Sequence, residues 1–218
     1  MTNHWSRPAV EQGAGVGTRV STAGRIPDRS PGYWARMTTI DVGRPRSGDV
    51  LDLIVEDHRR FERLLRQLRD TTQDREAVRR AFADVLIAHS IAEEELVYPT
   101  LRRKAEDVGE HEVHHGHEEH AEGNEALLKV LEFERTDTQA FADAVEELSN
   151  LIAHHLAEEE LTIISPAREE VGERVRREMG ETWAARRNEL IDQGCGALDN
   201  VRRVVREAAE EGLLDEEE

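Results

Sequence analysis

The sequence predicts an all-α protein: an antiparallel up-down four-helix bundle followed by a short helical C-terminal tail. Three observations predict this fold class. Charged residues make up 35% of the 218 residues and aromatic residues only 4%, which suits helices with charged outer faces and disfavours β-sheets. Apolar residues recur at three- and four-residue steps in four segments joined by short connections. Part of the second segment recurs in the fourth.

The first two helices are predicted from one buried apolar face each. The first begins near Asp49 and is broken at Asp70. The second follows a cap at Thr72 or Asp74 and reaches Pro99, which ends or kinks the helix or tightens its last turn. Their inward apolar positions include Leu51, Ile54, Phe61, Leu65 and Leu68, then Val78, Phe82, Val85 and Leu86.

The third helix is predicted over about residues 110–134, and the fourth from a cap at Asp137 to about Ile164, just before Pro166. Four helices of this length with short connections are typical of an antiparallel bundle. The tail beyond Pro166 is helical but interrupted by glycines, and it ends in an acidic run over 215–218 that we expect to be solvated.

Three regions follow: a disordered basic leader over 1–46, a four-helix metal-binding domain over 47–167 and a helical acidic extension over 168–218. The leader holds seven Arg and three acidic residues, a local charge of +4 that leaves −22 on the rest. Gly, Pro, Ser and Thr dominate it without apolar periodicity, which predicts disorder. Two interpretations stay open: a basic arm for a partner, or a non-native extension with translation starting at Met37.

The net charge of −18 argues against nucleic acid and against an anionic membrane surface as partners. The sequence has no run of about 18 apolar residues, so we expect no transmembrane helix. It also has no apolar region near its N-terminus that would indicate a secretory signal. We therefore expect a cytoplasmic protein; the oligomeric state stays undetermined. A lone cysteine, Cys195, excludes internal disulfides and cysteine-based zinc sites. The ten histidines are the unusual feature of this acidic chain.

An internal repeat carries several of these histidines. Residues 86–96 align with 151–161 at a constant offset of 65, and nine of the eleven positions are identical. A weaker echo joins the first and third helices, so one helical hairpin is used twice and the bundle is expected to have a pseudo-two-fold axis.

Two aligned pairs in the repeat have metal-ligand spacing. His89 precedes Glu93 by four residues, as His154 precedes Glu158, so each pair lies on one helix face beside apolar neighbours. His58 on the first helix and His120 on the third fall at apolar spacing. Because buried charge is costly unless it is paired or metal-bound, four such histidines with two carboxylates indicate a site for iron, manganese or zinc.

Several alternatives remain open. A surface salt bridge between residues four apart is worth only about 0.3–0.5 kcal/mol and would not explain the duplication. His155 and Glu159 have the same spacing as His154 and Glu158, and the repeat alignment favours the latter pair. We expect the remaining histidines near the start of the third helix to be solvated: His111, His114, His115 and His117.

Four segments together resemble the hemerythrin-like HHE cation-binding family over about residues 49–167. They are Asp57-His58-Arg59-Arg60-Phe61, His89-x-x-x-Glu93-Glu94 with Tyr98-Pro99, Glu119-His120, and His154-His155-x-x-Glu158-Glu159. The resemblance implies two non-haem iron ions with oxo and carboxylate bridges inside an up-down bundle, able to meet dioxygen, nitric oxide or peroxide. Manganese and zinc stay open. The ligands it implies are His58, His89, Glu93, His120, His154 and Glu158, with Glu93 and Glu158 bridging.

One departure affects the expected function. The invertebrate oxygen carriers of this family have a His-x-x-x-His pair on the third helix, but the position four before His120 is Gly116. His117, a water, Glu94 or Glu159 are candidate substitutes. We favour a di-iron protein that binds or senses dioxygen, nitric oxide or a related molecule, or handles iron. The alternatives are a peroxidase-like, catalase-like or nitric-oxide-reducing enzyme, and a metal-free helical module whose acidic tail binds a basic partner.

Overall fold

The computed structural model describes residues 40–106 and 108–214, and every regular element within them is helical. The all-α prediction is confirmed for this part of the chain. Two π-helical turns, Glu93–Val97 and Glu160–Ile164, join α2 to α3 and α5 to α6. The α-helices are α1 Val50–Arg69, α2 Arg75–Ala92, α3 Tyr98–Lys104, α4 Glu110–Leu131, α5 Gln139–Glu159, α6 Ser165–Glu170, α7 Glu173–Asp192 and α8 Leu198–Glu210.

Side-chain caps set where three of the long helices begin. The carboxylate of Asp49 accepts from the backbone N–H of Leu51, and Asp74, one of the two expected caps, accepts from Ala77. Such a cap stabilises a helix by about 1 kcal/mol. The cap of α5 is Thr138, whose hydroxyl accepts from the N–H of Phe141. Asp137, predicted for that role, instead accepts from the side chain of Arg135.

Four helices, α1, α2, α4 and α5, pack around a common interior. Helix α1 contacts α2 and α5, and α4 contacts the same two helices. Two apolar clusters fill this interior, one around Phe61 and Phe82 and the other around Tyr98 and Trp183. Since Phe61 contacts the ring of His89 and Tyr98 stacks on His120, the histidines lie between the two apolar clusters.

The C-terminal extension folds back onto this core. Helix α7 packs against α1 and α2, and α8 packs against α4. Gly180 allows the close approach of α7, because a Cβ there would collide with the carbonyl oxygen of Gly48. None of the helices in the described ranges is long and apolar enough to cross a lipid bilayer.

The described chain is already packed before the predicted leader boundary at residue 46. Ile40 and Val42 pack against the apolar core, and the side-chain amide of Asn188 on α7 donates to the carbonyl of Pro45 at 2.7 Å. The structured part therefore includes residues 40–46. The rest of the predicted leader, with Met37, lies outside the described residues, as does the acidic run over 215–218.

Candidate metal centre

Four of the six predicted ligands lie buried at the centre of the helical core. His58 is on α1, His89 on α2 and His120 on α4, while Glu93 opens the first π-helical turn. Each of these side chains is at most 2% exposed. A π-helical turn inside an α-helix is frequent at functional sites, because the extra residue locally redirects the side chains.

The inward face of α5, the fourth helix predicted from the sequence, differs from the prediction. The side chain of His154 is 65% exposed, whereas that of His155 is only 4% exposed. The two glutamates differ in the same sense: Glu158 is half-buried, whereas Glu159 is buried. The structure therefore corrects the predicted inward pair of His154 and Glu158 to His155 and Glu159.

The apolar seam of α5 explains this correction. Its buried apolar residues Phe141, Val145, Leu148 and Ile152 follow one another at steps of four, three and four. The next steps of three and four lead to His155 and Glu159, whereas His154 follows Ile152 by only two residues and faces away. The repeat alignment matched identical letters at an offset of 65, but the side chains that meet in space are related by an offset of 66.

The buried ligands form two similar halves. In the first half, the inner ring nitrogens of two histidines meet one carboxylate oxygen. Nε2 of His89 lies 3.2 Å from Oε2 of Glu93, and Nε2 of His120 lies 3.5 Å from the same oxygen.

The second half repeats this arrangement around Glu159. Nε2 of His58 lies 3.1 Å and Nε2 of His155 lies 3.8 Å from Oε2 of Glu159. Each half thus takes one histidine and one glutamate from a long helix with a π-helical turn, and a second histidine from another helix. This is the pseudo-two-fold relation expected from the repeat.

The outer ring nitrogens of all four histidines face carboxylates. The Nδ1 distances are 2.9 Å from His58 to Glu160, 2.8 Å from His120 to Glu94, 3.1 Å from His155 to Glu119 and 3.7 Å from His89 to Asp57. In the three pairs at hydrogen-bond distance the carboxylate holds a proton on Nδ1, so Nε2 is the nitrogen that can bind a cation after it loses its own proton. Nδ1 of His89 has no hydrogen-bond partner among the described residues.

The inner atoms of the cluster lack hydrogen-bond partners among the described residues. They are Nε2 of His58, His89, His120 and His155, both carboxylate oxygens of Glu93 and Oε2 of Glu159. Each unsatisfied buried polar group costs about 1–3 kcal/mol. Convergent imidazole nitrogens and carboxylate oxygens are ligands that iron, manganese and zinc accept, so a bound cation fits this donor set and would satisfy these atoms together.

Burial of two carboxylates side by side perturbs both. Burial and the neighbouring charge of Glu159 raise the pKa of Glu93 to about 8. Burial also opposes the ionised form of Glu159, but the close ion pair with His58 outweighs it and lowers the pKa of that carboxyl. Without a cation the cluster therefore depends on bound protons for its charge balance.

Protons held by the buried histidines should make cation binding depend on pH. Burial alone would lower the pKa of His58 and His120, but their paired glutamates outweigh it and raise these pKa values to about 9 and about 10. At pH 7.5 both imidazoles are protonated without a cation, and Nε2 must lose its proton to bind one. We expect proton release on binding and an apparent affinity that rises with pH up to about 10.

Calorimetric titration of the chelator-treated protein with Zn²⁺ in two buffers of different ionisation enthalpy measures this release. The observed binding enthalpy should differ between the buffers in proportion to the protons released. Identical enthalpies, together with an affinity independent of pH between 7 and 9, would contradict the assigned protonation. The same titration in His154→Ala should give the wild-type proton release.

Tyr98 occupies the space beside Gly116 of α4, the position where the oxygen carriers of the family have a further histidine. A Cβ at Gly116 would lie 3.0 Å from the Tyr98 hydroxyl, which donates to Oε1 of Glu159 at 3.1 Å. His117, a candidate substitute, contacts the edge of the Tyr98 ring and lies 3.9 Å from Glu94, on the outer side. The phenol, rather than a fifth histidine, thus fills this position.

The sequence did not indicate that Asp57, Glu119 and Glu160 face the outer ring nitrogens. Nor did it indicate that Arg187 donates to Asp57. Asp57 and Glu119 directly precede His58 and His120, but each faces the histidine of a neighbouring helix. The repeated acidic-His dipeptide was the available signal, although only the packing of the helices shows which imidazole each carboxylate serves. Arg187 stands far from these motifs in sequence, and no local pattern marks it.

Comparison with known families agrees with the geometry. The family model described as hemerythrin HHE cation binding domain matches residues 49–165. Since the match covers more than half of the chain and includes all six buried histidine and glutamate residues of the cluster, the fold and centre define a helical cation-binding domain. The chain belongs to the hemerythrin HHE cation-binding domain family. Searches of curated proteins and of solved structures give no significant match.

Proposed function

We propose that the chain binds two non-haem iron ions, one in each half of the centre, and that they bind or sense dioxygen, nitric oxide or a related small molecule. The paired histidines support this assignment, because inner Nε2 atoms point to a common space while carboxylates face their outer nitrogens. The residues that would hold the ions are His89, His120 and Glu93, and His58, His155 and Glu159. Iron with an exchangeable coordination position supplies binding and reduction of such small molecules.

The protein contributes position, enclosure and proton donors. Glu93 and Glu159 each lie beside two histidines of their own half and would hold the ions together with them. The Tyr98 hydroxyl holds Glu159 in place and is buried beside it. Because Phe61 and Tyr98 close the centre on two sides, solvent is largely excluded and the charges inside interact strongly.

An antiparallel up-down order of α1, α2, α4 and α5 is part of this proposal. Its support is the connection of consecutive helices by short segments and the mutual contacts of the four helices. A cytoplasmic location is likewise proposed, from the sequence composition alone. Manganese and zinc are the competing cations for the same donors.

Exposure to nitric oxide tests the proposed function directly. The chelator-treated protein is loaded with Fe²⁺ without oxygen, and its visible absorption is followed as nitric oxide or dioxygen is added. We expect a new absorption band that scales with bound iron and is much weaker in His155→Ala. The His154→Ala variant should behave as wild type. Unchanged spectra with both gases in fully loaded protein would contradict the proposal.

A second candidate function is turnover of peroxide or nitric oxide at the same centre. The observation that favours it is the position of Gly116, which places a phenol where a fifth histidine would otherwise complete the ligand set. The buried Tyr98 hydroxyl is a proton donor next to Glu159. Oxygen evolution from peroxide by the iron-loaded protein, about 10²–10⁴-fold slower in Tyr98→Phe, would favour the enzyme. Absence of turnover would leave binding as the function.

A further inference from the structure

The C-terminal extension supplies one wall of the metal centre. Helix α7 lies beyond residues 49–165, which match the family model, yet it packs on α1 and α2 at the His89 side. Trp183 of α7 is fully buried, and its ring meets that of His89 edge-on, with centroids 6.1 Å apart. Arg187, one turn further along α7, is also fully buried.

The guanidinium of Arg187 donates two hydrogen bonds to the carboxylate of Asp57. Its Nη2 donates to Oδ1 of Asp57 at 2.9 Å, and its Nε donates to Oδ2. Arg187 is held in turn by the carbonyls of Val42 and Gly43, to which it donates at 2.9 Å and 3.2 Å. A forked arginine–carboxylate contact of this kind fixes the plane of the carboxylate as well as its charge.

Asp57 transmits this constraint to the centre. Its Oδ2 lies 3.7 Å from Nδ1 of His89, an ionic contact longer than a hydrogen bond, and Nε2 of the same ring faces Glu93. Arg60 adds a second guanidinium on the same carboxylate.

The other half of the centre lacks this support. Glu119, which faces His155, has only histidines as its ion-pair partners in the described part of the chain: His115, His154 and His155. The two halves are therefore alike in their inner donors but different in what orients the outer carboxylate. Within the described ranges, only the half that contains His89 is tied to the extension through an arginine.

We infer that Arg187 is a positioning residue of the metal centre, which orients Asp57 toward His89 and thereby sets the metal affinity of the half that contains Glu93. This inference rests on the proposed metal site. It assigns to the extension a role in binding, with α7 acting as an integral part of a centre whose ligands all lie in the family domain.

The test compares two arginines of the same helix. Arg187→Met breaks the fully buried contact to Asp57, and Arg176→Met breaks a partly buried contact of α7 with Asp49, the residue that caps α1, at 2.7 Å. Asp49 lies eight residues before Asp57, about 12 Å along the helix, so it is remote from the histidines. Affinity for Zn²⁺ and Fe²⁺ is measured by competition with a chromophoric chelator, and stability by melting of the chelator-treated proteins.

We expect Arg187→Met to weaken one of the two bound ions by about 10–100-fold, the usual effect of removing support from a ligating histidine. Arg176→Met should bind as wild type even where its melting temperature falls. Arg187→Lys should lie between Arg187→Met and wild type, because it keeps the charge and loses the fork. Asp57→Asn combined with Arg187→Met should bind no more weakly than Asp57→Asn alone.

Wild-type affinity in Arg187→Met would overturn the inference, as would equal loss of affinity in the Arg187→Met and Arg176→Met variants. If Arg187→Met does not fold, wild-type affinity in both Arg187→Lys and Asp57→Asn would overturn it instead. Failure of the wild-type protein to bind either cation would contradict the proposed function itself. The two failures are therefore distinguishable.

Discussion

His155→Ala should remove metal from one half of the centre, whereas His154→Ala should leave both halves filled. The two histidines are adjacent in sequence, but His155 is buried with its Nε2 facing Glu159, and His154 is exposed to solvent. Loss of an inner ligand should weaken binding by more than the roughly 10–100-fold typical of an outer partner. At micromolar metal the variant should hold about half of the wild-type content.

His154→Ala is a matched control for His155→Ala, because both variants replace a histidine with alanine. Both variants remove one imidazole from the same turn of α5, so effects of helix propensity on α5 are nearly matched. Metal per chain is measured by elemental analysis after equilibrium dialysis, with circular dichroism to establish that both variants are folded. Equal metal loss, or greater loss in His154→Ala, would show that the inward face of α5 is misassigned.

Removal of the metal should produce the largest change in stability. The inner nitrogens and oxygens are unsatisfied without a cation, and a ligand that binds only the folded state stabilises it by about 2.7 kcal/mol at a concentration 100 times its dissociation constant. For a chain of this size that corresponds to about 5–10 °C in melting temperature. Treatment with a strong chelator should lower the melting temperature by this amount.

A variant separates this effect from nonspecific action of the chelator. Glu93→Gln with Glu159→Gln removes both inner carboxylates and should show little further response to the chelator. Readdition of Fe²⁺ or Zn²⁺ should restore the wild-type melting temperature but not that of the double variant. A wild-type melt that does not respond to chelator or metal would support the metal-free helical module.

The sequence was sufficient for the class of fold and for much of the centre. Apolar periodicity predicts the long helices, and the repeat with His89 and Glu93 predicts a buried cluster of nitrogen and oxygen donors. Asp74 caps its helix as one of two expected positions. These features are local, because each depends on residues within one or two helical turns.

The error at His154 shows where local patterns fail. Sequence identity pairs His89 with His154, but the rotation of α5 is set by the packing of Phe141, Val145, Leu148 and Ile152 on other helices. A shift of one residue turns a side chain by about 100° around the helix axis, enough to exchange an interior ligand for a surface residue. The apolar seam was the better guide than the repeated letters.

The contributions of Tyr98 and Arg187 depend on contacts between distant segments. Arg187 lies 130 residues from Asp57, and the Tyr98 hydroxyl reaches a carboxylate on another helix. No spacing rule joins such positions, so they become visible only when α7 is seen against α1. The same reason explains why the sequence predicts a helical acidic extension but not that this extension forms part of the enclosure of His89.

Elemental analysis of the purified wild-type protein, before and after chelation and reloading with Fe²⁺, tests the central claim most directly. The proposed centre predicts two transition-metal ions per chain, chiefly iron after growth with added iron, and recovery of that ratio after reloading. Protein that contains no stoichiometric transition metal as isolated, and takes up none after reloading, would contradict it.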